Sequence, residues 1–258
     1  MPRYYTLFML GTAGSGKTLL TRTLYDWFSD RKLDVLTLNL DPGVKRLPYN
    51  PDIDARDYVN IDELIDLHNL GPNGAMIASV DLLAGKINDI RDEIDYLEPE
   101  YLLIDTPGQM ELFAYRSSGR FIASVLAHES HPASVFLIDP FLALKPEGLA
   151  SVLLLSVSVA FQLSIGQIVT ISKDDLLEEH QKETLNRWID SPETLVTDIH
   201  KSGQMTLPQQ LGLSIINLLE EYKMTGEMLP ISAYTGYNID TLVGLVEREW
   251  GVKDDFYE

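Results

Sequence analysis

Cysteine is absent from this 258-residue chain, and basic residues are scarce. The lack of cysteine excludes disulfide bonds and metal sites built on thiolates. Lysine and arginine number 20 against 39 aspartate and glutamate residues, so the formal net charge is −19. Because polyanions repel such a surface, we expect no direct binding of nucleic acid through a broad basic face. The five histidines show no spacing typical of metal ligands.

Signals for membrane insertion are also few. The chain begins Met-Pro-Arg-Tyr-Tyr and leads at once into an apolar run, so we expect no signal peptide and a cytoplasmic protein. Gly148–Ser172 carries no charged residue over 25 positions, which raises the alternative of a membrane span. Serines interrupt this stretch, and Gly166 divides it into a helix and a strand. We therefore interpret Gly148–Ile165 as a buried helix that is covered partly by a second subunit, with no membrane contact.

Short apolar runs alternate with helical patterns along the chain. This alternation predicts an α/β fold with three layers, in which helices cover both faces of a mainly parallel sheet. Helical insertions are predicted at about residues 53–99 and 191–223 of a single domain, 1–258. The predicted strands are Tyr4–Leu10, Asp34–Leu40, Tyr101–Ile104, Ser134–Ile138, Gln167–Ile171 and Met228–Ile231.

The most specific motif is Gly-Thr-Ala-Gly-Ser-Gly-Lys-Thr at residues 11–18, which we call the phosphate loop. It matches G-x-x-x-x-G-K-[ST] between a predicted strand and a predicted helix. Glycines let backbone N–H groups turn toward phosphate oxygens, and the helix adds its positive end. We expect Lys17 to reach the β- and γ-phosphates and Thr18 to bind Mg²⁺. A glycine-rich turn that only caps a helix is the alternative. The predicted phosphate-binding residues are Thr12, Ala13, Gly14, Ser15, Gly16, Lys17, Thr18 and Leu19.

Acidic residues follow two further strands. Tyr101–Ile104 leads into Asp105-Thr106-Pro107-Gly108-Gln109-Met110-Glu111, where Asp105 is predicted to be linked to Mg²⁺. In the same segment Gly108 would let the backbone approach a γ-phosphate, Gln109 would orient a water, and Glu111 would support it. The second strand ends in Asp41-Pro42-Gly43, and Asp41 would bind Mg²⁺ through water or act on the attacking water. Both segments are also ordinary turn sequences, which is the alternative.

Two later segments suggest recognition of guanine. Ser172-Lys173-Asp174-Asp175 resembles the motif [NT]-K-x-D, in which Asp175 would accept the two donors on the guanine edge. Lys173 would lay its aliphatic stem across the base, and Ser172 replaces the usual Asn or Thr. Ser232-Ala233 matches a loop whose backbone N–H supports guanine O6. Each match alone is a common solvated turn, but their order favours GTP over ATP.

Gly71-Pro72-Asn73 is the remaining distinctive sequence. Asn60-x-x-Glu63 predicts the start of a helix, and Gly71 and Pro72 are expected to end it. By itself, the tripeptide has a simple explanation in which Asn73 caps the next helix.

Six segments occur along the chain in this order: the phosphate loop, Asp41, Gly71-Pro72-Asn73, Asp105–Glu111, Ser172–Asp175 and Ser232-Ala233. With these segments the sequence resembles the GPN-loop GTPases over essentially the whole chain. The resemblance is to an archaeal-type member within the dimeric branch of the P-loop GTPases. It implies a homodimer in which each Gly71-Pro72-Asn73 points into the partner's site near the γ-phosphate, where Asn73 stabilises the transferred phosphate in place of an arginine finger. It also implies roles for Asp41, Asp105 and Gln109 around Mg²⁺ and water. Thr12 and Ala13 stand where dimeric ATPase relatives carry lysine.

The function expected from the sequence is Mg²⁺-dependent hydrolysis of GTP to GDP, with Lys17 among the catalytic residues. The resemblance implies a dimeric switch or assembly factor with protein clients, since eukaryotic relatives resemble assembly factors for RNA polymerase. Two alternatives stay open. One is a P-loop kinase acting on a nucleoside or polynucleotide end, although no arginine-rich lid is visible. The other is a nucleotide-gated scaffold with little turnover.

Overall fold

The computed structural model describes residues 3–201, 214 and 228–252. Seven strands form one sheet with the order β3-β2-β4-β1-β5-β6-β7. Every neighbouring pair is parallel, so the carboxyl ends of all the strands lie at one edge, where ligands bind in open α/β sheets. The strands are β1 (Tyr5–Gly11), β2 (Val35–Asn39), β3 (Ile53–Asp54), β4 (Tyr101–Asp105), β5 (His131–Ile138), β6 (Gly166–Ile171) and β7 (Leu229–Pro230).

Helices cover both faces of this sheet, which confirms the predicted three-layer α/β fold. The described helices are α1 (Lys17–Asp30), α2 (Ala55–Tyr58), α3 (Ile61–His68), α4 (Pro72–Leu97), α5 (Met110–Phe113), α6 (Ser117–Ala127), α7 (Pro140–Ala143), α8 (Pro146–Leu163), α9 (Glu179–Asp190), α10 (Pro192–Lys201) and α11 (Ile239–Glu249). The side chains of α1 and α11 bury one face of β1 and β5. Helices α4, α6 and α8 bury the opposite face. Since both faces are covered, the central strands are continuous apolar runs in the sequence.

All six predicted strands are present, and β3 is an addition. Its two residues pair with Leu38 and Asn39 of β2, at the start of the segment predicted as a helical insertion. A strand of two residues carries no alternation of apolar and polar side chains, so no sequence pattern could reveal it. Of the second predicted insertion, α10 is described, and most of the segment lies outside the described residues.

The connection between α3 and α4 differs from the sequence predictions that Gly71 ends the first helix and that Asn73 caps the second. Helix α3 ends at His68, and Asn69, not Gly71, adopts the left-handed conformation that closes it (φ 50°). Gly71 is the N-cap of α4, with Pro72 at the first helical position and Asn73 in the first turn. Asparagine tolerates the left-handed region, while proline favours an extended residue before it and suits the start of a helix. Asn73 is therefore not a helix cap.

Helix α8 is only partly buried by its own chain, so the predicted cover by a second subunit stays a prediction. Among the helices of the described residues, it is the one long and apolar enough to cross a membrane by length and composition, with 33% of it buried. Its inner side packs against α6 and β6. On its outer side Leu154 is 44% exposed and Phe161 is 70% exposed.

Candidate nucleotide-binding site

The phosphate loop joins β1 to α1, and its glycines are dictated by backbone geometry. Gly14 and Gly16 have positive φ values of 77° and 101°, which strain any other residue. A Cβ atom on Gly11 would lie 2.5 Å from the Leu137 carbonyl oxygen of β5. The loop therefore curls tightly against the sheet and leaves the amino end of α1 facing the edge where the strands end. Free amides at such an end, together with the helix dipole, bind phosphate.

Lys17 is held inside this loop. Its side chain is almost fully buried, and its Nζ donates to the carbonyl oxygens of Gly11 at 2.8 Å and Thr12 at 3.0 Å. Burial lowers the pKa of Lys17, while the nearby carboxylates of Asp105 and Asp41 raise it. The predicted cation and the two predicted carboxylates thus lie within electrostatic range of one another.

Asp105 ends β4 and is 1% exposed. Burial raises the pKa of this carboxyl to about 6; the nearby Thr18 hydroxyl and the charge of Lys17 act in the opposite direction. The Tyr49 hydroxyl donates to Asp105 Oδ2 at 3.4 Å. In the described part of the chain, Asp105 Oδ1 has no hydrogen-bond partner. A buried carboxylate oxygen left unpaired beside a threonine hydroxyl fits a hard divalent cation such as Mg²⁺.

Asp41 lies in a turn, Asp41–Val44, which we call the Asp41 turn. Its Oδ1 accepts a hydrogen bond from the Gly43 backbone N–H at 3.0 Å, as in a simple Asp-Pro-Gly turn. Its Oδ2 accepts from the backbone N–H of Gly108 at 3.4 Å, which links the turn to the loop after β4. A simple turn therefore explains the hydrogen bond of Asp41 Oδ1. Asp41 Oδ2 instead contacts Gly108, the residue predicted to lie close to the γ-phosphate.

A buried network that the sequence did not reveal holds the Asp41 turn. Asn39 accepts from the Asp41 backbone N–H at 3.0 Å and donates to the Asp41 carbonyl oxygen at 3.2 Å and to Asp54 at 2.9 Å. Arg56 pairs with both oxygens of Asp54 and donates to the Val44 carbonyl oxygen at 3.3 Å. Burial alone would raise the pKa of Asp54, but hydrogen bonds from Arg56 and Asn39 hold it below its usual value. These residues sit at or after strand ends, but nothing in their spacing predicts the pairing.

The loop after β4 is fastened to the phosphate loop. The Thr106 hydroxyl donates to the Met9 carbonyl oxygen at 2.6 Å, and the Gly11 N–H donates to the Met110 sulfur at 3.3 Å. Gly108 would tolerate a Cβ atom, which would meet Ala13 at an ordinary 3.6 Å. Gln109 is exposed at the start of α5, and the side chain of Glu111 is not among those described. The roles of Gln109 and Glu111 stay predictions.

A cavity of about 320 Å³ lies between the phosphate loop and the segments after β6 and β7. Its size suits a nucleobase, and apolar side chains form much of its wall. Four of the five predicted base-recognition residues line it, the exception being Ser232, and the exposed Tyr234 was not predicted. The lining residues are Ser15, Gly16, Leu19, Leu137, Ser172, Lys173, Asp175, Leu176, Ile231, Ala233 and Tyr234.

Polar contacts order this cavity. The Ser232 hydroxyl donates to Asp175 Oδ1 at 2.5 Å, so the two predicted guanine segments are joined directly. Lys173 forms an ion pair with Asp139 at 2.6 Å, a partner that the sequence did not suggest. The Ser172 hydroxyl donates to the Ile138 carbonyl oxygen at 2.9 Å and so ties the ends of β5 and β6 together. Serine therefore performs a structural task at the position where the motif usually carries Asn or Thr.

Gly71–Asn73, which we call the Gly-Pro-Asn turn, is exposed at the beginning of α4. The 26 residues of α4 span about 39 Å, whereas the five residues of β4 span about 17 Å. Because α4 leads into the amino end of β4, its own start lies toward the carboxyl edge of the sheet and extends past it. Within the described residues, no hydrogen bond joins this turn to the phosphate loop of the same chain.

Comparisons with known proteins agree with this geometry. A family model described as "Conserved hypothetical ATP binding protein" matches residues 9–251. The GPN-loop GTPase PAB0955 of Pyrococcus abyssi is 37% identical over 243 residues, which cover 93% of this chain and 95% of that protein. GPN-loop GTPase 1 of Dictyostelium discoideum is 30% identical over 95% of this chain, which spans only 62% of that longer relative.

A solved structure is similar over nearly its whole length. The crystal structure of PAB0955, a GTPase in apo form from Pyrococcus abyssi, superposes with a TM-score of 0.86 at 31% sequence identity, and the match covers 96% of this chain and 98% of that one. Together with the phosphate loop, the buried Asp105 and the paired Asp175 and Ser232, these matches show that the chain belongs to the GPN-loop GTPases and is a GTP-hydrolysing enzyme with the P-loop NTPase fold.

Proposed function

We propose that this protein is a Mg²⁺-dependent GTP hydrolase that acts as a homodimeric switch or assembly factor, in which Asn73 of each subunit completes the site of its partner. One observation carries the hydrolase mechanism. Three separate segments bring four polar side chains to one edge of the sheet, where the pKa values of Lys17 and Asp105 depend on the groups around them. These side chains are Lys17, Thr18, Asp41 and Asp105. That combination is what phosphoryl transfer from a nucleoside triphosphate requires.

Guanine selectivity rests on the cavity residues. The family model's description names ATP, whereas the relatives are named GTPases. A carboxylate at Asp175 accepts from N1–H and N2–H₂ of guanine, and adenine lacks this pair of donors. The Ser232 hydroxyl orients Asp175, the Ala233 N–H is available for O6, and Lys173 covers the base with its stem. We therefore assign GTP and GDP as the bound nucleotides.

Thr18 and Asp105 would hold Mg²⁺ together with phosphate oxygens. No group of three or more acidic or histidine side chains suited to a metal occurs in residues 3–201, 214 and 228–252. The P-loop arrangement needs none, because phosphate and water complete the coordination. When bound, the ion would neutralise charge on the β- and γ-phosphates. Its fit to the site follows from the unpaired Oδ1 of Asp105.

We assign the steps of hydrolysis to the polar groups as follows. A water oxygen attacks the γ-phosphorus while the bond from that phosphorus to the bridging oxygen breaks, and GDP leaves. Asp41 and Gln109 orient the water, Asp41 accepts hydrogen bonds or the proton, and Glu111 supports Gln109. Lys17 compensates the charge of the β- and γ-oxygens. Gly108 contributes its backbone N–H beside Asp41.

The proposed role of Asn73 in the partner's site is supported by its exposure at the projecting end of α4. An amide donor aimed at the γ-phosphate stabilises the charge that develops during transfer, and loss of such a donor costs roughly 10²–10³-fold in rate. Gly71 and Pro72 fix the extended entry to the helix and so the direction of Asn73. The exposed outer side of α8 supports the dimer, since large apolar side chains on a surface are typical of an interface.

A mixture of two inactive variants tests this proposal. Asn73→Ala should bind GTP and hydrolyse it slowly, and Lys17→Ala should have a weakened nucleotide site with its Asn73 intact. In a hybrid dimer, the site with intact Lys17 receives Asn73 from the other subunit, so activity should partly return. Confirmed hybrid dimers without recovery would show that Asn73 does not act across the interface.

Assays of phosphate release separate hydrolysis from the other possible activities. Release of inorganic phosphate without an acceptor supports the hydrolase. Release or transfer that depends on an added nucleoside or RNA end would instead identify a kinase, and nucleotide binding with negligible turnover would identify a scaffold.

The proposal also includes a cytoplasmic location and protein clients. RNA polymerase assembly is among the roles that the family resemblance implies. The net charge of −19 suits basic protein partners and not nucleic acid.

A further inference from the structure

Gly43 in the Asp41 turn contacts the helix that carries the Gly-Pro-Asn turn. Its φ does not lie in the left-handed region, so its backbone conformation does not require glycine. Its steric neighbour is Met76, because a Cβ atom on Gly43 would lie 2.2 Å from Met76 Cε and 3.6 Å from Met76 Sδ, so the flexible end of Met76 would have to move. The end of the Met76 side chain therefore occupies the place that any other residue at position 43 would fill.

Met76 lies one helical turn after the Gly-Pro-Asn turn. The first hydrogen bond of α4 runs from the Ala75 N–H to the Gly71 carbonyl oxygen at 2.9 Å, immediately before Met76. Ala75 is fully buried, and Met76 packs against the hydrophobic core. The Ser79 hydroxyl donates to the Met76 carbonyl oxygen at 2.7 Å. This end of α4 is therefore packed against the core, although Asn73 itself is exposed.

The Asp41 turn is equally constrained on its other side. Asn39 holds the backbone of Asp41, and Arg56 holds the carbonyl oxygen of Val44, so both ends of the turn are tied to the sheet. The Asp41 turn is thereby held against Met76, so a change in the turn alters the packing of the Met76 side chain. Asp41 is also the residue that faces the γ-phosphate segment through Gly108.

We propose that Met76 is a positioning residue that couples the Asp41 turn to the Gly-Pro-Asn turn of the same chain. The state of a subunit's own nucleotide site then sets the orientation of the Asn73 that it presents to its partner. Only this last step, the transfer to the partner, rests on the proposed function. The contact between Gly43 and Met76 can be tested in the single chain.

Amide hydrogen exchange at Ala75 provides that test. Gly43→Ala should displace the end of the Met76 side chain and raise the exchange rate of the Ala75 N–H by about tenfold, which corresponds to ~1.4 kcal/mol and lies within the usual cost of overpacking. Met76→Leu shortens the side chain by one atom at similar volume, so the double variant Gly43→Ala/Met76→Leu should return to the wild-type rate. Gly85→Ala is the control, because it adds a Cβ atom to α4, the helix of Ala75 and Met76, with nothing within 4 Å, and it should not raise the Ala75 rate.

The exchange result decides the coupling in every case. An unchanged Ala75 rate in Gly43→Ala overturns the proposal, and so does a raised rate that Met76→Leu fails to reverse. A rate that rises and is then restored, with Gly85→Ala unchanged, supports it. Because exchange is measured without turnover, the readout stands even if the dimer mechanism is wrong.

The hybrid dimer shows whether the coupling reaches the partner. Gly43→Ala is placed in the subunit that already carries Lys17→Ala, so its own site contributes no turnover. Activity at the other site, which receives its Asn73 from this subunit, should fall by about tenfold and should recover when Met76→Leu is added to the Gly43→Ala subunit. No effect in an active hybrid overturns the transfer step. An inactive parent hybrid instead refutes the role of Asn73 in the partner's site, and the exchange result still decides the coupling.

Discussion

At a pH above about 6, ionised Asp105 should lower the free energy of unfolding of the nucleotide-free protein, compared with a neutral side chain at this position. Burial raises its pKa from 3.8 to about 6, which corresponds to about 3 kcal/mol against the ionised form. Because the pKa is higher in the folded chain, the folded state holds this proton at pH 5 while the unfolded state has lost it. Stability from this group is therefore fully present below about pH 4 and is lost as the pH rises through about 6.

Asp105→Asn removes the charge and keeps the shape. The amide oxygen can still accept from the Tyr49 hydroxyl, but the new amide N–H₂ has to find an acceptor in a buried place, so we expect about two thirds of the full gain. At pH 8 the free energy of unfolding should rise by about 2 kcal/mol. For a chain of this length, that gain raises Tm by ~4–8 °C.

Calorimetry on protein stripped of nucleotide and metal with EDTA measures this gain. The difference between Asp105→Asn and wild type should be large at pH 8 and close to zero at pH 4. Asp66→Asn, which changes an exposed carboxylate on α3, should show no comparable dependence on pH. A variant that is less stable than wild type at pH 8, or equally stabilised at both pH values, would refute the reasoning. The same variant should lose Mg²⁺-dependent turnover, so stability and activity should change in opposite directions.

Two further substitutions test the site. Asp175→Asn should weaken GTP binding by roughly 2 kcal/mol or more and remove the preference for GTP over ATP. The reason is that an amide cannot accept both guanine donors with the same charge assistance. Equal GTP affinity of wild type and variant in a competition assay would show that Asp175 does not bind the base. Gly11→Ala should destabilise the fold by about 1–3 kcal/mol and abolish nucleotide binding, because its Cβ atom would lie 2.5 Å from the Leu137 carbonyl oxygen at a φ of 137°. In urea titrations Gly85→Ala is its control, and it should be neutral or slightly stabilising; similar behaviour of the two alanine variants would contradict the steric argument.

Much of the site could be predicted from the sequence because its parts are local. The phosphate loop is eight consecutive residues, so its motif specifies the curl of the backbone, the helix start and the direction of Lys17. Asp105, Asp41 and Asp175 were found because each follows an apolar strand, and parallel strands bring their carboxyl ends to one edge. Once the sheet was predicted, the approximate meeting of these residues followed from topology.

Other contacts could not be predicted, because their partners are far apart in sequence. Tyr49 reaches Asp105 across 56 positions, and Arg56 supports the Asp41 turn through Asp54 and Val44. The closing residue of α3 was also misjudged: asparagine and glycine both tolerate the left-handed conformation, and the choice depends on where Pro72 allows the next helix to begin. Local preference left these options nearly equal in energy, and packing selected one.

The sequence by itself determined the fold class, the phosphate loop and the identity of the charged groups at the strand ends. These depend on periodicity and on contiguous motifs, which local backbone preferences enforce. Only the tertiary structure decided that Asp105 is buried enough to raise its pKa, that Ser232 orients Asp175, and that Met76 occupies the space beside Gly43. Burial and contact depend on how distant segments pack in three dimensions, and no local pattern along the chain carries that information.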